Sequence, residues 1–253
     1  MFGVVRRDRF LRRMVAKVAS DTLDPTDWQA IAIGGADARP VLYIPIPKAA
    51  NTSIRTALKP CFGLAGEVIA NVHQDSRIDK RSLRAGLAAA PADAMVFTVV
   101  RHPALRIRST FRNKLGWRDA SRPLGIKRRF GHAANLGIPR GASFEEFLSI
   151  LAQTPEWALD SHFKPQAALL RHALADPRLE LFRFESINAD WPGIAARIAA
   201  RVPVAPDGTL EYLTATGRAA PVFSAAERRL IELIYRADFE TFGYSWDDLG
   251  AGV

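Results

Sequence analysis

Apolar residues in this chain gather in short unbroken runs, with amphipathic segments between them. Val41–Ile46 (VLYIPI) and Met95–Val100 (MVFTVV) are the clearest runs, and Leu179–Phe184 (LELFRF), interrupted by Glu180 and Arg183, reads as a third strand. Each has the length of a strand, and the first two are rich in β-branched residues, as strands buried on both faces are. Helical spacing follows two of them, in Ile54–Leu58 (IRTAL, stopped by Pro60) and Ala104–Lys114 (ALRIRSTFRNK). Ser143 caps a predicted helix, SFEEFLSIL, with Glu146 at the capping-box position. Further helices are predicted over 164–174, over 188–202 with Pro192 near the start, and from Ser224 to about Phe239 with Glu227 as box residue. Residues 61–94 are mixed, and the glycine- and proline-punctuated residues 115–142 read as a long loop. Residues 1–40 read as a basic helical lead-in ending in a Gly/Ala/Asp turn and Pro40. Strands alternating with helices predict one α/β domain over 41–253, with a central parallel sheet and helices on both faces.

The first run ends in chemistry. VLYIPI is followed by Pro47-Lys48-Ala49-Ala50-Asn51-Thr52-Ser53. A loop at a helix N-terminus presents unsatisfied N–H groups and the positive end of the helix dipole, which attract an anion. Lys48 adds a charge there, and Thr52 and Ser53 add hydroxyls. The Walker pattern is different: there the lysine closes a glycine-rich loop, whereas here it comes first and glycine is absent. The second run ends in Arg101-His102-Pro103, with Ser109 two turns into the next helix. Ligands of open α/β sheets bind outside the carboxyl ends of the strands. Two such ends with anion-binding groups predict a ligand with two phosphate-like groups.

These motifs resemble those of the sulfotransferases that use 3′-phosphoadenosine 5′-phosphosulfate, in particular the carbohydrate and heparan-type branch, sulfotransferase family 2. PKAANTS resembles that family's PKxxxTS element, and RHPALRIRS its R-x-P-(x)5-S element with the spacing intact. Asp160–Gln166 (DSHFKPQ) resembles D-x-H-W-x-P-Q, with Phe163 in place of tryptophan. LFRFE (181–185) and DFETFGY (238–244) resemble two later segments, and all the matches keep the family order over about 41–245. The resemblance implies a P-loop-like sulfotransferase fold. It implies that Lys48 and the loop Ala49, Ala50, Asn51, Thr52 and Ser53 hold the 5′-phosphosulfate. Arg101 and Ser109 would hold the 3′-phosphate, and Arg218, in ATGRAAP, would reach the nucleotide from a late loop. The acceptor implied is a hydroxyl of a carbohydrate or glycolipid. The family places its histidine base between the two cofactor motifs, where His73 is the only histidine, with Asp75 two residues on to orient it. His162 is the rival base, and His162 and Lys164 are otherwise acceptor or structural contacts.

Charge sharpens this picture. The chain of 253 residues carries +9, of which residues 6–17 hold +5 and residues 112–140 hold +7, so the rest is net −3. Focused charge favours anionic partners. No helix-turn-helix, RRM, KH or zinc-finger pattern marks a specific nucleic-acid binder. The single cysteine, Cys61, excludes an internal disulfide, and five scattered histidines without HExxH give no metal signal. Phe10, Leu11, Met14, Val15 and Val18 share one helical face among arginines. Residues 1–20 are thus either an interfacial helix on a membrane or a helix packed on the domain. Without a signal peptide or an apolar run of 18 residues, the expected location is the cytoplasm, with contact at the inner membrane surface through that helix. Trp117, Trp157 and Trp191 are open to two roles, stacking on sugar or packing in the core. Two other functions stay in view: a nucleotide kinase, which lacks its Walker lysine here, and a non-catalytic polyanion-binding module, which leaves both motifs unexplained.

Overall fold

A computed structural model describes residues 27–34, 40–69, 71–115, 136–139, 141–211 and 221–249, together with Asp8, Leu11, Arg12 and Val15. The chain forms two compact units that interleave along the sequence. One comprises Asp27–His102, Leu169–Ala220 and Trp246–Val253; the other comprises Met1–Thr26, Pro103–Ala168 and Pro221–Ser245.

The first unit is built on a five-stranded sheet. Its strands are β1 (Gln29–Ile33), β2 (Val41–Ile44), β3 (Lys80–Ser82), β4 (Met95–Val100) and β5 (Leu179–Arg183), in the order β3-β1-β2-β4-β5. The three runs read from the sequence are β2, β4 and β5, and they pair in parallel. The sheet as a whole is mixed, which corrects the expectation of a parallel one: β1 is antiparallel to both β2 and β3. Only residues 34–40 join β1 to β2. A parallel neighbour needs a crossover of a dozen residues or more, so a link this short returns the chain antiparallel. The sheet therefore begins at Gln29, and a helical lead-in does not run to residue 40.

β2 and β4 are buried along their whole length. On one face Tyr43 stacks on Phe97, with ring centroids 5.0 Å apart, and Phe97 meets the edge of Phe182. On the other, helix α2 (Leu83–Ala89) approaches so closely at Gly86 that an added Cβ would lie 3.2 Å from Leu42 Cδ1 and 3.3 Å from Ala30 Cβ. The remaining helices of this unit are α1 (Asn51–Ala57), directly after the anion loop, and α6 (Ile187–Ala199), which follows β5 and carries Pro192 inside it. Trp191 is a core residue, buried on α6 with its indole N–H donating to Asp207 O.

The second unit is helical: α3 (Pro103–Leu115), α4 (Phe144–Ala152), the single turn α5 (Gln166–Leu169) at its border, and α7 (Ala225–Phe242). Ser143 and Ser224 close full capping boxes with Glu146 and Glu227, as the sequence predicts. The helix expected over 164–174 shrinks to α5, and turns follow it. Phe111, Phe144, Phe147 and Phe163 form the apolar centre, with neighbouring rings 5.1–5.5 Å apart. No helix among the described residues is long and apolar enough to cross a membrane.

Candidate functional site

β2 delivers the chain to the anion loop, and the loop's backbone is unusual. Lys48 (φ 69°) and Ala50 (φ 55°) both lie in the left-handed region without being glycine. Such conformations cost about 1–3 kcal/mol each and persist where the surroundings impose them. Between them the Ala49 N–H donates back to Ile46 O at 3.3 Å, which closes the turn; left-handed residues in such turns are a recurring part of backbone anion nests. Ala50 is the N-cap of α1 and makes no side-chain cap bond. By contrast, α2, α4 and α7 each begin on a serine whose hydroxyl accepts from the first turn. The first turn of α1, with Thr52 exposed and Ser53 buried, is thus the one of these four that no N-cap side chain serves.

The second motif meets the first. Thr98 Oγ1 donates to Ile44 O at 2.7 Å, tying β4 to the last residue of β2. Beyond β4, Arg101 Nη1 donates to Lys48 O at 3.1 Å, and its guanidinium lies 4.1 Å from the centroid of Phe184. Glu185, just past β5, accepts from the backbone N–H of His102 at 2.9 Å. PKAANTS, RHP and the FE of LFRFE therefore converge at the carboxyl ends of three neighbouring parallel strands, where ligands of such sheets bind.

A model of the sulfotransferase family matches residues 35–245. The chain belongs to the sulfotransferase family. No curated protein and no solved structure matches it.

In this sulfotransferase-family chain the structure brings His73 to the anion loop. Its Nε2 lies 3.0 Å from Thr52 Oγ1, a hydrogen bond across 21 residues of sequence. Asn71 Oδ1 accepts from the His73 N–H, and Lys80 Nζ donates to the His73 carbonyl. Asp75 does not orient this ring, contrary to the sequence reading. Its carboxylate accepts from the backbone N–H, Nε and Nη2 of Arg77, which hold it down to about 2. Thr52 takes the orienting role instead. Cys61 offers no thiolate, since burial pushes its thiol up to about 11.

Ser109, His162 and Lys164 belong to the helical unit. Ser109 is half-buried on α3, and Lys164 is buried. His162 Nδ1 donates to Asp160 Oδ1 at 2.7 Å, which fixes the tautomer and leaves Nε2 without a partner among the described residues. The turn carrying this pair is held by four consecutive carbonyls. Arg106 donates from Nη2 to Ser161 O and from Nη1 to Lys164 O, Tyr235 O–H donates to Phe163 O, and Thr110 Oγ1 shares its one proton between Arg106 O at 3.1 Å and His162 O at 3.3 Å. Sequence reasoning missed this clamp. Its only signal was a charged residue, Arg106, among the apolar positions of ALRIRST. Arg218, the basic stretch from Arg118 to Arg129, Arg140 and Trp117 lie outside the described residues. Among the described residues no group of three or more His, Cys, Asp and Glu could hold a metal ion.

Proposed function

We propose that this protein moves the sulfuryl group of 3′-phosphoadenosine 5′-phosphosulfate to a hydroxyl of a carbohydrate or glycolipid acceptor, on a P-loop-like sulfotransferase fold. The observation that carries the reading is the bond from Arg101 to the Lys48 carbonyl, which joins both anion motifs at one sheet edge. The residues present fit a ligand of that charge: a left-handed, glycine-free loop, a helix start without a side-chain cap, and a lysine and an arginine beside it.

When bound, the nucleotide supplies an activated sulfuryl group and a phosphate leaving group. The N–H groups from Ala50 to Ser53 and the Lys48 ammonium offer positive charge where the leaving oxygen becomes negative, while the Ala49 N–H, expected from the sequence to join them, donates to Ile46 O at 3.3 Å. Arg101 grips the 3′-phosphate with a planar fork that lysine lacks. The family resemblance alone assigns Ser109 to the same phosphate and Arg218, from a late loop, to the nucleotide. His73, oriented through Thr52, takes the proton of the acceptor hydroxyl. His162 and Lys164 contact the acceptor. Residues 1–20 bring the protein to an anionic membrane surface at the cytoplasmic face.

The test pairs binding with turnover. 3′-Phosphoadenosine 5′-phosphate at a hundredfold over its Kd should stabilise the protein by roughly 2.7 kcal/mol, seen as a raised Tm. Adenosine 5′-phosphate, without the 3′ group, should shift Tm far less. Labelled sulfate should then pass to one member of a glycan and glycolipid panel. Equal shifts from the two nucleotides would remove Arg101 from the 3′-phosphate, and salt-sensitive polyanion binding without transfer would return the polyanion-binding reading.

A further inference from the structure

Arg55 stands on α1, one turn beyond Asn51, and is 2% exposed. Its Nε donates to Asn51 Oδ1 at 2.8 Å. Its Nη1 is buried with no hydrogen-bond partner, as is the hydroxyl of Tyr43 on β2. Burial draws the guanidinium pKa below its ordinary value, and among the described residues Tyr43 alone opposes this. No carboxylate neutralises Arg55 among the described residues. A charge buried this way is unfavourable in the free protein, and an anion arriving nearby offsets the cost.

Asn51 connects that charge to the loop. A carboxamide that accepts from Arg55 through its oxygen must turn its NH2 the other way, with both protons available. Asn51 is the first residue of α1 and lies inside the Lys48–Ser53 stretch. We propose that Arg55 is a positioning residue for the anion loop: it locks the Asn51 carboxamide with the NH2 end toward the loop's phosphate-type ligand and holds an unneutralised positive charge behind it. The inference rests on the nucleotide-binding reading above and deepens it.

The experiment is a double-mutant cycle on the binding of 3′-phosphoadenosine 5′-phosphate by calorimetry, with Tm of each free protein alongside. Arg55→Met and Asn51→Ala should each weaken binding about tenfold, and the double variant should also lose about tenfold, because residues acting through one another are not additive. Free Arg55→Met should melt at or above the wild-type temperature, since an apolar chain replaces a buried unpaired charge. Arg55→Lys keeps the charge without the fork and should bind between wild type and Arg55→Met. It also completes the cycle if the methionine variant does not fold. Losses that multiply to about a hundredfold, or an Arg55 variant with wild-type Kd, overturn the proposal. A lower Tm with unchanged Kd assigns Arg55 to the fold alone. A wild type that binds no nucleotide refutes the functional reading first, before any variant is made, and this inference with it.

Discussion

Lys48 and Ala50 hold backbone conformations that glycine would adopt without penalty, and they do so in the loop that carries the candidate chemistry. A glycine at either place would ease the strain and loosen the nest, whereas a β-carbon keeps the loop in few states before a ligand arrives. Lys48→Ala should therefore fold normally and lose about a hundred- to a thousandfold in kcat, the cost of one donor at a developing oxyanion. His73→Ala should lose about a hundred- to ten-thousandfold in kcat while nucleotide affinity stays near wild type. Because Thr52 is the partner of the ring, Thr52→Val should move kcat part of the way to His73→Ala, and the double variant should be no slower than His73→Ala. Steady-state kinetics of the two single variants and the double variant beside wild type would check this. A His73→Ala enzyme at near-normal kcat beside an inactive His162→Ala would move the base to the Asp160–His162 pair.

Among the elements, those with a local cause were legible in the sequence. α4 and α7 begin on their predicted serine boxes because a capping box is a property of four consecutive residues. β2 and β4 were legible because strands buried on both faces read as continuous apolar runs, and β5, an edge strand half-buried to exposed along its length, was legible through Leu179, Leu181 and Phe182. β1 was not, since QAIAI is short, alanine-rich and stabilised by its partners; nor was β3, whose residues are Lys80, Arg81 and Ser82. Of the site, the two anion motifs were legible as strand-end patterns, but the Thr52–His73 bond and the four-carbonyl clamp arise from tertiary approach and leave no local trace. The clamp has a measurable stability. Tyr235→Phe removes the donor to Phe163 O and leaves a buried carbonyl, so it should cost about 1–3 kcal/mol in urea denaturation. Asp238, on the same helix, accepts from Gln166 and Ala167, and burial raises its carboxyl above the ordinary 3.8, against the pull of Arg106. A carboxyl raised on folding favours the native state while protonated. Its contribution is full below about the unfolded carboxyl value and is lost as pH rises through the raised one. Relative to Asp238→Asn, wild-type stability should fall as pH climbs from about 4, and a rise over that interval would contradict the assignment.

Across the whole molecule, charge is divided between tasks. In the proposed function the anion loop draws on a few fixed groups at the carboxyl ends of β2 and β4: Lys48, Arg101 and backbone N–H. The bulk of the excess positive charge lies elsewhere, +5 within residues 6–17 and +7 within residues 112–140. Exposed charges are screened beyond about a Debye length, roughly 8 Å at physiological salt, whereas groups held against a ligand are screened much less. Binding through the basic blocks should therefore be steeply salt-dependent, and nucleotide binding only mildly so. Deletion of residues 1–20 separates the two. The truncated protein should keep the Tm shift with 3′-phosphoadenosine 5′-phosphate, because no loop group is removed. It should lose cosedimentation with anionic vesicles at low salt, because a segment of net +5 is gone and each basic residue near such a surface contributes about 1 kcal/mol. Wild type should in turn release from the vesicles as salt is raised, at concentrations that leave the nucleotide shift intact. Vesicle binding that survives the deletion would place the membrane contact outside this segment, and loss of the nucleotide shift on deletion would tie the segment to the anion loop instead.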